Sequence, residues 1–191
     1  MRCRSCNRLS FAYICQECHE TKFPINIHTR IVGDMDVICF YNYSTIEGLL
    51  LSKHTKYGYR VYKELGKKTL HPFMVEFCEH ELGDIHLIGI DEKPSGGYSH
   101  IATLTRSAKM STIIPYHAKL IDYSGISYAG KSLEYRLSNP REFDYSGKSN
   151  IQAILIDDII TTGTTLQYAK NTLSKAGVDV LFALCLADAK K

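Results

Sequence analysis

The chain is 191 residues long, 45% hydrophobic and 23% charged, with a formal net charge of +3. That size and balance fit a soluble intracellular protein with one main domain, a buried core and room for a small extra module. The most apolar stretch, 178–187, is too short for a membrane helix and contains Asp179, so no transmembrane segment is expected, and a charge this modest does not by itself imply a nucleic-acid partner.

At the start of the chain, Cys3, Cys6, Cys15 and Cys18 form two Cys-x2-Cys knuckles separated by eight residues. Four thiolates at this spacing can close a tetrahedral shell. So short a stretch has too little apolar surface to fold without a staple, and a structural zinc module over 1–22 is expected. Two disulfides would need an oxidising compartment. Met1 to Ser5 is charged and no apolar leader follows, so zinc is favoured and a cytoplasmic location is expected. His19 adjoins Cys18, is surplus to a four-cysteine shell and reads as a surface histidine. Residues 22–33 read as a linker into a second unit over 33–191. Hydrophobic patterning in that unit predicts a strand over 37–43, helices over 46–53, 57–65 and 72–81, and a strand over 85–90. A cationic turn over 91–98 then carries Lys93 and the pair Gly96-Gly97, and suits a diphosphate. A helix over 101–109, a short strand over 112–115 and a long mobile segment over 116–150 follow. Cys39, Cys78 and Cys185 sit among aliphatic and aromatic residues and read as small core side chains.

The most informative segment is 154–165, Ile-Leu-Ile-Asp-Asp-Ile-Ile-Thr-Thr-Gly-Thr-Thr. The run 151–156 reads as a buried parallel strand and 165–175 as a helix, which puts the acids and threonines in a strand-to-helix turn, where ligands of open α/β sheets gather. Gly163 lets backbone approach a ligand closely. The amides at the helix start, with the hydroxyls of Thr161, Thr162, Thr164 and Thr165, suit a phosphate monoester. Asp157 and Asp158 would repel that phosphate but accept hydrogen bonds from a vicinal diol. A diol and a phosphate on one molecule describe a ribose 5-phosphate. A simple helix cap needs only one Ser, Thr or Asp, and leaves the paired acids and four threonines unexplained.

This segment resembles the phosphoribosyl diphosphate (PRPP) motif of type I phosphoribosyltransferases. The resemblance implies an α/β fold with an open, mainly parallel sheet flanked by helices. It also implies Asp157 and Asp158 as the catalytic pair on the ribose 2- and 3-hydroxyls, with Thr161, Thr162, Gly163, Thr164 and Thr165 around the 5-phosphate. Magnesium would enter with PRPP, and Lys93 and Arg136 would neutralise the diphosphate. Joined to a four-cysteine module, the chain resembles the ComF (ComFC) family of competence proteins over nearly its whole length. The stretch from Tyr41 to Lys53, the run Gly97-Tyr98-Ser99-His100 in place of the family's Gly-Phe-Asn-Gln, and Arg136 with Asn139 support the likeness. The chain departs from the family in having Lys93 alone where an arginine-rich turn is usual, and Ser99-His100 where Asn-Gln is usual.

Between Lys53 and Lys68 six basic residues face the single acid Glu64, with Tyr57, Tyr59 and Tyr62 interleaved. Cations and stacking rings are the ingredients of a single-strand surface, and Lys53, Lys56, Tyr57 and Arg60 are its candidate contacts. A solvated amphipathic helix with inward tyrosines gives the same composition. A second basic stretch holds Lys119, Lys131, Arg136, Arg141 and Lys148. The family likeness implies a competence factor that handles incoming single-stranded DNA during natural transformation, binds PRPP as substrate or effector and works with other DNA-uptake proteins. The alternative is a nucleotide-salvage phosphoribosyltransferase that moves ribose 5-phosphate from PRPP to a nucleobase.

Overall fold

The computed structural model describes residues 1–79, 83–90, 98–126, 128, 130 and 132–190. The two cysteine knuckles are held by an isolated bridge between Arg2 and Leu9 and by a short helix, α1 (Gln16–Thr21). The segment read as a linker carries a strand, β1 (His28–Val32), which pairs antiparallel with β2 (Met35–Asn42). Gly33 opens the two-residue turn between them at φ 63°, a conformation that glycine adopts without a Cβ clash. The linker reading missed this strand because its polar residues, as on edge strands generally, carry no apolar run.

After β2 come α2 (Tyr43–Leu50), a 3₁₀ turn (Leu51–His54), α3 (Gly58–Lys68) and α4 (Leu70–Cys78). Next are β3 (Ile85–Gly89), α5 (His100–Ser107) and β4 (Ile113–Tyr116). The segment 116–150, read as long and mobile, carries secondary structure of its own. It contains β5 (Leu120–Asp122), α6 (Leu133–Ser138) and β6 (Phe143–Tyr145), with β5 and β6 forming a separate antiparallel pair. Leu120, Phe143 and Tyr145 pack into the core on one side of the main sheet and anchor the segment; the recurring glycines mark turns between its elements. The chain ends with β7 (Ile151–Ile160), α7 (Thr164–Lys175) and β8 (Val178–Asp188).

The main sheet has six strands in the order β1-β2-β8-β7-β3-β4, parallel throughout except for the β1-β2 hairpin. This is a mixed α/β fold with a mainly parallel sheet, and helices cover both faces. Ile154 and Ile156 of β7 point into a core built with α2 to α5, while Ala153 and Leu155 point into a core built with α7 and the β5-β6 pair. Burial on both faces explains why the strand reads as a continuous apolar run.

The cysteine module is not a separate bead. Ile14 is fully buried, and with Cys3 and Cys18 it belongs to the same apolar cluster as α2 to α5. The polar part of the attachment is one side chain. Glu64 of α3 accepts from the backbone N–H of Tyr13 at 3.0 Å and of Ile14 at 3.2 Å, and bonds His19 Nε2 at 3.0 Å. His19 is therefore buried against Glu64, correcting the surface reading: its ring is recruited by the one acid of the basic helix. Replacing Glu64 by Ala strands donors in a half-dry junction, so we expect a loss of about 2 to 3 kcal/mol of stability. Urea melts measure it. An unchanged midpoint would mean that packing of Ile14 alone holds the module.

Candidate functional site

Strand β7 runs farther than its apolar stretch. Asp157, Ile159 and Ile160 remain paired with Cys185, Ala187 and Asp188 of β8, so the acids lie on the strand and only 161–163 form the turn. The expected strand end at 156 fails because the long partner β8 goes on supplying backbone hydrogen bonds past the two acids, and Ile160 beyond them is buried again. Gly163 caps α7 at φ 88°, and a Cβ there would lie 2.6 Å from Val32 Cγ1 of β1. Glycine is required here by conformation and by contact. The Thr162 and Thr164 hydroxyls are 2.6 Å apart, and the first amide of α7 lies 3.4 Å from the Thr162 hydroxyl. Thr161, Thr162 and Gly163 thus form a compact turn that leads into Thr164 and Thr165, the first residues of α7.

Two arginines brace this turn. Arg136 of α6, 7% exposed, donates through Nη1 to the Thr161 hydroxyl and through Nη2 to the Tyr128 carbonyl at 2.8 Å. Burial lowers its pKa from the usual arginine value. Its guanidinium and that of Arg141 both lie over the Tyr128 ring, at 5.3 and 4.9 Å, so this part of the second basic stretch is internal. Arg30 of β1 donates to the Thr162 carbonyl at 3.4 Å and to Asp188 at 3.0 Å. Sequence reasoning missed Arg30. The signal was its place two residues before Val32, on the strand face that meets Gly163.

The two acids do not act as a matched pair. Consecutive strand residues point to opposite faces. Asp158 is buried, and its Oδ2 meets Lys53 Nζ at 2.8 Å, the Tyr62 hydroxyl at 3.0 Å and His100 Nε2 at 3.4 Å. Asp157 accepts the Asp158 N–H at 2.8 Å and is only partly covered. Burial, with the adjacent Asp158 charge, pushes the Asp157 carboxyl up to about 8. Burial alone would raise Asp158 too, but the His100 hydrogen bond and the Lys53 charge hold it below the usual carboxylate range.

The candidate DNA contacts also divide. Lys53 is turned inward to Asp158, whereas Lys56, Tyr57 and Arg60 are exposed. The Arg4 guanidinium lies 4.1 Å from the Tyr57 ring centroid and 5.9 Å from that of Tyr13. Arg60 lies 5.1 Å from the Tyr13 centroid and donates to its hydroxyl at 3.2 Å. Alternating Arg and Tyr therefore cross from the cysteine module onto α3. Beside them a cavity of about 450 Å³ between α3 and α5 is lined by Tyr59, Lys63, Lys67, Tyr98, Arg106 and His117, among others. Lys93, Gly96, Gly97 and Lys131 lie outside the described residues.

The four cysteines converge. Their sulfurs all lie within 4.8 Å of one another, with Cys3 and Cys18 3.9 Å apart and Cys6 and Cys15 3.6 Å apart. A tetrahedron with Zn–S of about 2.3 Å has edges of about 3.8 Å, so the shell fits a metal ion. The backbone amides of Ser5 and Cys15 lie 3.4 and 3.3 Å from Cys3 Sγ. Burial opposes ionisation of Cys3, but the surrounding amides outweigh it and hold the thiol at about 6.

No protein-family model matches the chain, and no curated protein matches its sequence. Among solved structures it is similar to a hypoxanthine phosphoribosyltransferase from Staphylococcus aureus, with 17% identity, a TM-score of 0.43 and coverage of 66% of this chain. The chain spans 64% of that enzyme's length. It is also similar to an adenine phosphoribosyltransferase, with 14% identity, a TM-score of 0.44 and coverage of 90% of this chain and 88% of the other. The Saccharomyces cerevisiae adenine phosphoribosyltransferase gives 14% identity, a TM-score of 0.43 and coverage of 85% and 84%.

A carboxylate held below its ordinary pKa adds stability above the unfolded value of about 4, and that stability is lost as pH falls toward the folded value. Asp158 should therefore give the fold an acid-labile component. Asp158→Asn leaves Lys53 without its charged partner, and we expect about 3 to 5 kcal/mol of destabilisation near neutral pH that shrinks below about pH 4. Denaturant melts across that range test it; parallel pH profiles for both proteins would show that the pair does not govern acid stability.

Proposed function

We propose that the chain is a cytoplasmic competence-type factor that binds single-stranded DNA across the Arg–Tyr face and a ribose 5-phosphate ligand, PRPP above all, at the Thr161 to Thr165 turn. The observation that carries the DNA reading is the continuity of that face. Tyr57, Arg4, Tyr13 and Arg60 alternate ring and cation across the junction of α3 with the cysteine module, and the cationic cavity with Tyr59 and Tyr98 extends along the same helix. Rings stack bases of any sequence and cations follow the backbone. A structural zinc ion in the four-cysteine shell would hold Arg4 and Tyr13 in register with α3.

At the turn, the amides opening α7 and the threonine hydroxyls would take the 5-phosphate, while Arg136 positions Thr161 from behind. Asp157, the acid not engaged by Lys53, would accept from the ribose diol and is the hard oxygen donor suited to magnesium. Magnesium brought in with PRPP would neutralise a departing diphosphate. Asp158 would act through position, setting β7 and with it Asp157. DNA-uptake proteins are the expected protein partners. The reading as a salvage phosphoribosyltransferase uses this same turn and differs in needing a nucleobase acceptor.

Titration with fluorescent single-stranded DNA tests the first part. An Arg4→Ala, Arg60→Ala protein should bind about tenfold more weakly and lose about two units of salt slope. Full retention of affinity and slope would remove the DNA face, and would favour the salvage reading if PRPP still bound. The second part is tested by calorimetry. Because the Asp157 carboxylate forms only as pH rises through about 8, ribose 5-phosphate should bind several-fold more tightly at high pH than at neutral pH. Asp157→Asn should abolish that rise while sparing DNA binding. A pH-independent affinity in the unmodified protein would take Asp157 out of the sugar site.

A further inference from the structure

We infer a second metal site, separate from the four-cysteine shell, in which His28 Nε2, Cys39 Sγ and a carboxylate oxygen of Asp188 bind a zinc-class divalent ion. The three ligand atoms lie within 4.8 Å of one another. The sheet brings them together. His28 and Cys39 are cross-strand partners in the β1-β2 hairpin, and Asp188 closes β8 on the other side of β2. Cys39 is 0% and Asp188 2% exposed, whereas the His28 side chain keeps 12%, which leaves an entry path along the hairpin edge.

The protonation pattern points to a cation. His28 Nδ1 lies 2.9 Å from the Asn26 carbonyl. A carbonyl can only accept, so Nδ1 carries the proton, and in the neutral ring Nε2 presents a lone pair. That atom is buried with no hydrogen-bond partner, and it faces Asp188 Oδ2 at 3.6 Å. Two electron pairs meeting in a dry place repel, and either a proton on Nε2 or a metal ion between them relieves this. A metal ion would engage all three groups, the Cys39 sulfur among them, whereas a proton on Nε2 would satisfy Asp188 alone and leave the Cys39 thiol to its hydrogen bond with Cys185.

The surroundings are those of a ligating shell. The Asn26 carbonyl fixes the His28 tautomer, and the other Asp188 oxygen accepts from Arg30 Nη1 at 3.0 Å and from the Lys190 N–H at 2.9 Å, which leaves Oδ2 turned toward the histidine. One imidazole, one thiolate and one carboxylate favour zinc over magnesium or calcium, which prefer all-oxygen sets. Three protein ligands leave a fourth position for water. Ion binding would release the Cys39 proton. Arg30 also reaches the Thr162 carbonyl, so the ion would sit one side chain away from the Thr161 to Thr165 turn. The inference does not depend on what that turn binds.

Metal counting on the full chain tests it. After loading with zinc and removal of free ion, native mass spectrometry should show two zinc ions per chain. His28→Gln and, independently, Asp188→Asn should each reduce the count to one, and Cys39→Ser in the cobalt-loaded protein should weaken thiolate-to-cobalt absorption without removing the four-cysteine signal. A single zinc in the unmodified protein, unaffected by His28→Gln, overturns the site whether or not the variants fold well. So does an NMR titration in which the His28 ring carries both protons at neutral pH in zinc-loaded protein, since Nε2 cannot then bind an ion.

Discussion

The buried carboxylate of Asp158 sets the geometry on which the rest of this molecule depends. It sits on the central strand β7, and its partners come from three other places: Lys53 in the turn after α2, Tyr62 in α3 and His100 at the start of α5. A carboxylate in the interior is costly unless charge and hydrogen bonds surround it, so these elements cannot drift from the sheet without exposing the full desolvation penalty. Apolar packing alone would tolerate small slides of α3 and α5. The ionic knot turns a general attraction into one registered arrangement, and Tyr62 tightens it by bridging within hydrogen-bond distance of the Leu50 carbonyl as well.

Helix α3 carries that registration outward. Tyr62 points to Asp158, Glu64 two residues later points to the cysteine module, and Tyr57 and Arg60 remain at the surface. One helix thereby couples the central strand, the four-cysteine module and the Arg–Tyr face. The charge imbalance of α3 has a structural logic: its lone acid is not a surface counterion but the acceptor for three donors of the N-terminal module. Moving that acid by one position would turn it away from the module and add an uncompensated charge to the basic face.

These relations explain what could be read in the sequence. The continuous apolar run of β7, the paired knuckles and the glycine of the threonine turn were legible because each is a local requirement: burial on both faces, convergence of four sulfurs, a positive φ against Val32. The β1 strand was not legible, since an edge strand with one fully buried residue has little apolar signature. Nor was the division of the basic stretch. Lys53 and Lys56 are alike in composition, and only the fold places one beside a buried carboxylate and leaves the other in water. Arg30, Glu64 and His19 were missed or misread for the same reason: their partners are distant in sequence, as with the 158 residues between Arg30 and Asp188.

The split of the acid pair bears directly on how a ribose would be held. Two adjacent carboxylates suggest a symmetric clamp on two hydroxyls, but pleating sends them to opposite faces of β7. Recruiting Asp158 would mean pulling Lys53 from it, and breaking a buried ion pair costs about 3 to 5 kcal/mol. A neutral hydroxyl would return roughly 1 kcal/mol through the hydrogen bond it makes. The exchange is unfavourable, so under the proposed reading a diol would fall to Asp157. That residue is also the one whose pKa is raised by burial and by the neighbouring charge. A ligand that brings a cation or donors to Asp157 would favour its ionised state. Asp158 thereby influences its neighbour through charge, since it helps to raise the Asp157 pKa while its own carboxylate stays paired with Lys53.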